Sequence, residues 1–214
     1  MIKHLTENVL PFWLDNAIDE EYGGIFTQLD REGKIYGTEK SVWFQGRALY
    51  IFASAWNYGL KDERYLHAAK KIYEFLPLCG DENYRMAFTV TRDGREIQKR
   101  RYYFSETFAA IGCTEYYLAT GNEEAKEKAE KYFDVAYRLF TGIDKPQPKF
   151  NPENTPYKGL SPAMIMLATS QVLRQIDKEK YNAIAKECVK EILTHLTEKG
   201  LMENIGLDNK FVDT

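Results

Sequence analysis

Histidine and cysteine are both scarce in this 214-residue chain, with three of each. Cys79, Cys113 and Cys188 are odd in number, far apart and without CxxC spacing, which argues against a disulfide framework or a thiolate metal site. They read as reduced, buried small hydrophobes. His4, His67 and His195 stand on separate helical patterns and do not form a ligand set, so no metal is expected. A surplus of positive charge is also lacking. A net charge of -3 and a pI near 5.8 supply no basic face for a phosphate backbone, which argues against nucleic acid as a partner. Long apolar runs are missing, and MIKHLTENVLPFW has no uninterrupted apolar core followed by a small-residue cleavage site. The expectation is a cytoplasmic protein with no membrane association. Neither GxxxxGKS/T nor GxGxxG occurs, so no nucleotide site or other cofactor is read.

What is present is helical periodicity of two alternating kinds. Segments 41–59, 105–120 and 161–176 are apolar on most sides and should be buried all round. Segments 62–78, 122–140 and 178–199 are amphipathic, with Tyr181, Ile184, Ala185, Cys188, Val189, Ile192 and Leu196 forming one such stripe. Asp62, Asn122, Ser161 and Asp177 offer N-cap chemistry, and Gly200 a C-terminal stop. Preceded by a helix over 3–16, this order describes three inner–outer helical hairpins within one domain, 1–214. Stacked side by side they curl into a double ring, or extend as a linear solenoid.

Two non-helical segments favour the ring. Residues 25–29 and 34–36 flank Asp30-Arg-Glu-Gly33, and residues 86–90 and 95–97 flank Thr91-Arg-Asp-Gly94; both read as short β-hairpins. Each precedes an apolar helix, which would gather hairpins and helix starts at one mouth. The loop Thr141–Leu160, with Pro146, Pro148, Pro152 and Pro156, would form another part of that rim.

Between Val42 and Tyr58 the only charge is Arg47. A guanidinium among apolar walls needs a carboxylate, carbonyls or a polar cavity, since burying it unpaired costs several kcal/mol. Trp43 lies one turn before it, so the two can present an aromatic platform and a fork of donors to one cavity, a pairing suited to sugars. Equally, they can be a core Trp beside an Arg that ties two helices through a buried carboxylate. Glu106 follows Ser105, a candidate N-cap, and lies in a first helical turn where an acid is favoured by the helix dipole; it reads as structural, as the partner of Arg47, or as an acceptor for a ligand hydroxyl. Phe104 and Phe108 flank it as walls. Asp15, Asp19, Glu20 and Glu21 read as a solvated helix end.

Four stretches carry a resemblance: Glu21-Tyr-Gly-Gly-Ile-Phe-Thr-Gln-Leu-Asp-Arg-Glu-Gly33, Lys40-Ser-Val-Trp-Phe-Gln-Gly-Arg47, Ala87-Phe-Thr-Val-Thr-Arg-Asp-Gly94 and Phe104-Ser-Glu-Thr-Phe108. In this order and spacing the chain resembles the N-terminal half of the N-acylglucosamine 2-epimerase (renin-binding protein) family. The resemblance implies an all-α fold of the (α/α)6 toroid type, about half of the ring being present. It implies an isomerase that inverts C2 of an open-chain amino sugar through an enediolate, interconverting N-acylglucosamine and N-acylmannosamine. Cellobiose 2-epimerases and aldose–ketose isomerases belong to the same family.

By the same resemblance Arg47 is the catalytic group that steadies the carbonyl oxygen, and Trp43, Glu106 and Phe108 bind substrate. The family's acid/base histidines lie on segments that do not occur here. Because such groups contribute on the order of 10² to 10⁴ in rate, the chain alone is expected to be nearly inert, and a C-terminal half or a second copy is expected to complete the ring. The rival reading is a noncatalytic helical scaffold that binds a glycan or protein. A glycoside hydrolase on the same ring needs two carboxylates, and Glu106 is the only one at the mouth.

Overall fold

The computed structural model describes residues 2–100, 102–145 and 157–210. These form two compact units, Met1–Phe133 and Asp134–Thr214. Most of the proline-rich loop, residues 146–156 with its four prolines, lies outside the described residues.

The first unit opens with a helical run: α1 Ile2–His4, a π-helical turn Leu5–Val9, and α2 Leu10–Asn16. Three helices follow, α3 Val42–Asn57, α4 Glu63–Phe75 and α5 Phe104–Thr120, and α6 Glu123–Phe140 crosses the unit boundary. Helix α4 shows why the pattern folds as it does. Tyr65, Ala68, Ala69 and Ile72 form its buried stripe while Arg64, His67, Lys70 and Glu74 face solvent. The Asp62 side chain caps its start by accepting the Arg64 N–H at 3.0 Å.

Helices α3 and α5 share the most intimate packing, and two glycines make it possible. A Cβ on Gly46 would lie 2.5 Å from the Phe108 carbonyl carbon, and one on Gly112 would lie 2.7 Å from the Gly46 oxygen. No side chain fits at either position, so the two backbones approach directly. Leu49 and Ala53 of α3 and Ala109 and Cys113 of α5 are fully buried in this core.

Two antiparallel strand pairs punctuate the helices: β1 Gln28–Leu29 with β2 Ile35–Gly37, and β4 Thr89–Val90 with β5 Glu96–Gln98. A further strand, β3 Lys40–Ser41, pairs with β4 in the order β3–β4–β5. Because β3 runs straight into α3, this register carries the β4–β5 hairpin to the start of that helix. Phe88 consequently lies beside Trp43.

In the second unit, α7 Ser161–Leu173 packs against α8 Lys178–Thr194. Met166, Leu173, Tyr181 and Cys188 are buried. Strand β6 Tyr157–Gly159 pairs with β9 Asn204–Gly206, setting Lys158 opposite Ile205. The Asp177 side chain caps α8 through the Lys180 N–H at 3.0 Å.

Several expectations need correction. Helix α8 stops at Thr194, and Gly200 lies instead in a small hairpin of β7 Leu196–Thr197 with β8 Gly200–Leu201, where its φ is 109°. Ser105 and Ser161 are inside their helices. Ser105 donates to the Ala87 carbonyl at 2.9 Å, joining α5 to the second hairpin rather than capping. The apolar helices are not buried all round, because α3 exposes Phe44 at 41% and Ile51 at 44%. All three cysteines are buried and free, and burial pushes the thiols of Cys79 and Cys113 up to about 12 and that of Cys188 to about 11. Among the described residues no helix is long and apolar enough to cross a membrane, and no three His, Cys, Asp or Glu side chains are grouped to hold a metal.

Candidate functional site

Three of the four expected site residues converge where α3, α5 and the second hairpin meet. The Trp43 ring lies edge-on to Phe88 at 5.2 Å between centroids and contacts Phe104 at 5.6 Å and Phe108 at 5.7 Å. The Arg47 guanidinium carbon sits 4.1 Å from the Phe108 ring centroid and 5.7 Å from that of Trp43. A cation against ring faces gains from their quadrupoles.

Arg47 is exposed, and among the described residues it forms no salt bridge and no side-chain hydrogen bond. The reading of a Trp beside an Arg that ties two helices through a buried carboxylate therefore does not describe this pair. On its other side Arg47 borders an apolar groove of about 240 Å³ lined by Leu5, Val9, Trp13, Phe44 and Ile51.

Glu106 is fully buried and its partner is Arg85, not Arg47. One carboxylate oxygen takes the Arg85 guanidinium and the Met86 N–H, the latter at 2.9 Å; the other is buried without a partner among the described residues. Burial pushes this carboxyl above its ordinary value, with Arg85 and the Met86 N–H opposing the rise. The Glu106 side chain thus ties α5 to the loop before the second hairpin, and Arg85 reaches onward to the Arg100 carbonyl at 3.5 Å.

A second polar cluster went unseen in the sequence. Lys40 is fully buried, and its ammonium donates to Asp19 Oδ2 at 2.9 Å, the Gly23 carbonyl at 2.7 Å and the Arg92 carbonyl at 2.8 Å, above the Phe75 ring at 4.3 Å. Asp19 is 1% exposed, which overturns its reading as part of a solvated helix end. It also accepts a two-pronged contact from Arg92 at 2.8 and 3.0 Å. Burial raises the Asp19 carboxyl, but the Arg92, Lys40 and Tyr22 N–H hydrogen bonds together outweigh burial and hold it well below the carboxylate range. Gln45, also buried, clamps Ile25 by accepting its N–H at 2.8 Å and donating to its carbonyl at 2.9 Å. These contacts lock the first hairpin's entry and the second hairpin's turn to the base of α3, which fixes where Trp43 and Arg47 start.

Each histidine has a partner of its own. His67 pairs with Glu20 on the surface, His4 contacts Asn8, and His195 is buried with Nδ1 against the Met202 carbonyl at 3.1 Å. Within the first unit, neither His4 nor His67 is hydrogen-bonded to Arg47 or Glu106.

Residues 24–210 match the family described as N-acylglucosamine 2-epimerase (GlcNAc 2-epimerase). The N-acylglucosamine 2-epimerase of Homo sapiens is 31% identical over 95% of this chain and 50% of that protein, and the cellobiose 2-epimerase of Eubacterium cellulosolvens is 32% identical over 62% and 33% respectively. The chain spans about half the length of the curated relatives it matches. Among solved structures, cellobiose 2-epimerase from Bacillus thermoamylovorans B4167 superposes with a TM-score of 0.84 at 20% identity, covering 99% of this chain and 60% of that one. A D-mannose isomerase superposes at 0.80 with 18% identity, covering 99% and 56%. At such identities the likeness speaks for the fold: a predominantly helical chain of the (α/α)6 type.

Proposed function

Since the chain belongs to the N-acylglucosamine 2-epimerase family, a family of carbohydrate epimerases, we propose that it forms the N-terminal part of a sugar 2-epimerase acting on N-acylglucosamine and N-acylmannosamine. In this reading residues 1–214 are part of a single toroidal domain, about half a ring, with α3, α5 and α7 inner, α4, α6 and α8 outer and both hairpins at one mouth. The few charges on α3 and α5 and the amphipathic stripe of α4 support that assignment. So does the apolar groove beside Arg47, which a completing half or a second copy would cover.

The observation that carries the chemistry is the exposed guanidinium of Arg47, without a carboxylate among the described residues, against Phe108 and Trp43. Removing the C2 proton of an open-chain N-acylhexosamine sends negative charge to the carbonyl oxygen. A fixed donor aimed there stabilises the enediolate, and a donor of this type is typically worth about 10² to 10³ in rate. An arginine already engaged by a carboxylate would be far less available for that work. Trp43 and Phe108 offer apolar faces to the sugar's C–H surface, while Glu106 acts from behind them through Arg85. The proton-transferring groups belong to the remainder of the ring, and no metal or other cofactor enters the scheme.

Titration of the 214-residue chain with N-acetylmannosamine, followed by NMR, should show saturable binding that Arg47→Ala removes. In a polypeptide carrying the complete ring, interconversion of the two sugars in D₂O should place deuterium at C2. Turnover without that label contradicts the enediolate route. A noncatalytic sugar-binding scaffold is the second reading, supported by the ring cluster of Trp43, Phe88, Phe104 and Phe108, which offers a sugar apolar faces without any acid or base; binding without turnover by the complete ring would establish it.

A further inference from the structure

Helix α8 sorts its charges by face. Of its acids, Glu187 accepts the Tyr137 hydroxyl at 2.9 Å and Glu191 holds Lys158, so both are engaged on the side of α6 and β6. Lys186 and Lys190, each one residue earlier, line a different groove, of about 400 Å³, between α7 and α8. Arg174, just past the end of α7, lines it as well and is held by the Asn182 side chain at 3.0 Å. No described acid lines this groove, and among the described residues none of its three cations forms an ion pair. Lys186 and Lys190 are one helical turn apart, a spacing at which like charges repel.

The groove continues into an exposed apolar band. Val189 lines it between the two lysines, Leu193 follows one turn later, and Leu196 stands opposite Leu201 in the β7–β8 pair, which sets both on one side of that hairpin. All four are exposed, the three leucines by more than half. Apolar side chains in a row beside cations that nothing neutralises form a surface that gains from being covered. The shape selects the class of partner. A trough between two packed helices takes a third helix laid along it, its apolar stripe on Val189 and Leu193 and carboxylates one turn apart on its flank meeting Lys186 and Lys190.

We propose that the α7–α8 groove is a docking seam for an acidic amphipathic helix, and that its occupant is a helix from the remainder of the ring. This rests on the toroidal reading, in which α7 and α8 form the last of three pairs and a further pair stacks beside them. It adds the means by which the seam tells its partner from a wrong one: carboxylates against the lysines attract, and cations repel. Every residue in the seam belongs to the second unit, whereas Arg47 belongs to the first, so the two proposals fail separately.

Two synthetic helical peptides of about 20 residues with the same leucine stripe, one flanked by Glu and one by Lys, serve as probes in fluorescence anisotropy with the 214-residue chain. The Glu peptide should bind roughly tenfold tighter, the size of two or three exposed ion pairs together, and added salt should narrow the difference. Lys186→Glu combined with Lys190→Glu should invert the preference, and Leu193→Asp should weaken both peptides. These side chains are exposed, so the denaturation midpoint should hold in each variant. In a polypeptide carrying the complete ring, Lys186 and Lys190 should be acetylated by an amine-specific reagent several-fold more slowly than in the 214-residue chain. Equal binding of the two peptides, or none, overturns the seam and leaves the sugar site standing. Equal lysine reactivity in the two polypeptides overturns the assignment of the occupant to the ring. Self-association of the chain that Leu193→Asp abolishes means a second copy as occupant, and tighter binding to phosphatidylserine vesicles than to the Glu peptide means a membrane face; either result overturns the assignment. Failure of every sugar to bind, with the peptide preference intact, confines the error to the Arg47 site and supports the seam.

Discussion

Two clusters in the first unit combine cations with aromatic rings, and they differ in one respect: whether the charge is already spent. Around Lys40 every charged group is satisfied: Asp19, two carbonyls and the Phe75 ring surround the buried ammonium, and the half-exposed Arg92 closes the Asp19 side. Around Trp43 the rings are just as close, yet Arg47 and Arg100 hold no carboxylate among the described residues. The first arrangement fixes chain geometry; the second leaves donors without a carboxylate among the described residues. A buried pair contributes little net stability when formed but is costly to break, whereas an exposed unpaired cation costs the fold almost nothing. The same residue types therefore divide into a closed clamp and an open cluster according to solvent and partner.

The comparison breaks most visibly at Asp19. Asp19→Ala strands the Lys40 ammonium in the interior and should lower stability by about 3–5 kcal/mol, read as a large drop in the denaturation midpoint. A loss below 1 kcal/mol would mean that the knot is wetter or looser than its geometry indicates.

Acid sharpens the same contrast. The Asp19 carboxyl is held below its ordinary value of 3.8, so its contribution is present above that value and is lost as the pH falls beneath it. Stability should decline through the region below about pH 4, and Asp19→Asn should flatten that part of the curve. An unchanged slope in Asp19→Asn assigns the acid sensitivity to other carboxylates.

The smallest expected effect on stability is the most telling for function. Arg47→Ala removes an exposed side chain that forms no ion pair among the described residues, and it should shift stability by no more than about 0.5 kcal/mol while abolishing sugar binding. A large loss of stability would turn Arg47 into a packing residue and merge the two clusters into one structural class.

Legibility followed the range of the interactions. The stripe of α4, the caps at Asp62 and Asp177 and the identity of the helices were readable because each depends on neighbours a few residues away. The end of α8 was misplaced because Gly200 signals a turn equally well after a helix or within a hairpin. Asp19 sits in an acidic run that locally looks solvated, but its partners are 21 and 73 residues away. Arg47 stands out in the sequence because a lone charge in an apolar helix is a local anomaly, and the structure sets it beside Trp43 and Phe108. The partner of Glu106 was not, since Arg85 reaches it across 21 residues of hairpin and loop.

By itself the chain's order of residues determined the helical periodicity, the two glycine-closed turns and the placement of Trp43 one helical turn before Arg47, all consequences of local backbone geometry. Only the tertiary structure decided which charges are spent and which are free. That outcome depends on desolvation and on groups brought together from distant positions, and neither quantity is present in any short window of the sequence.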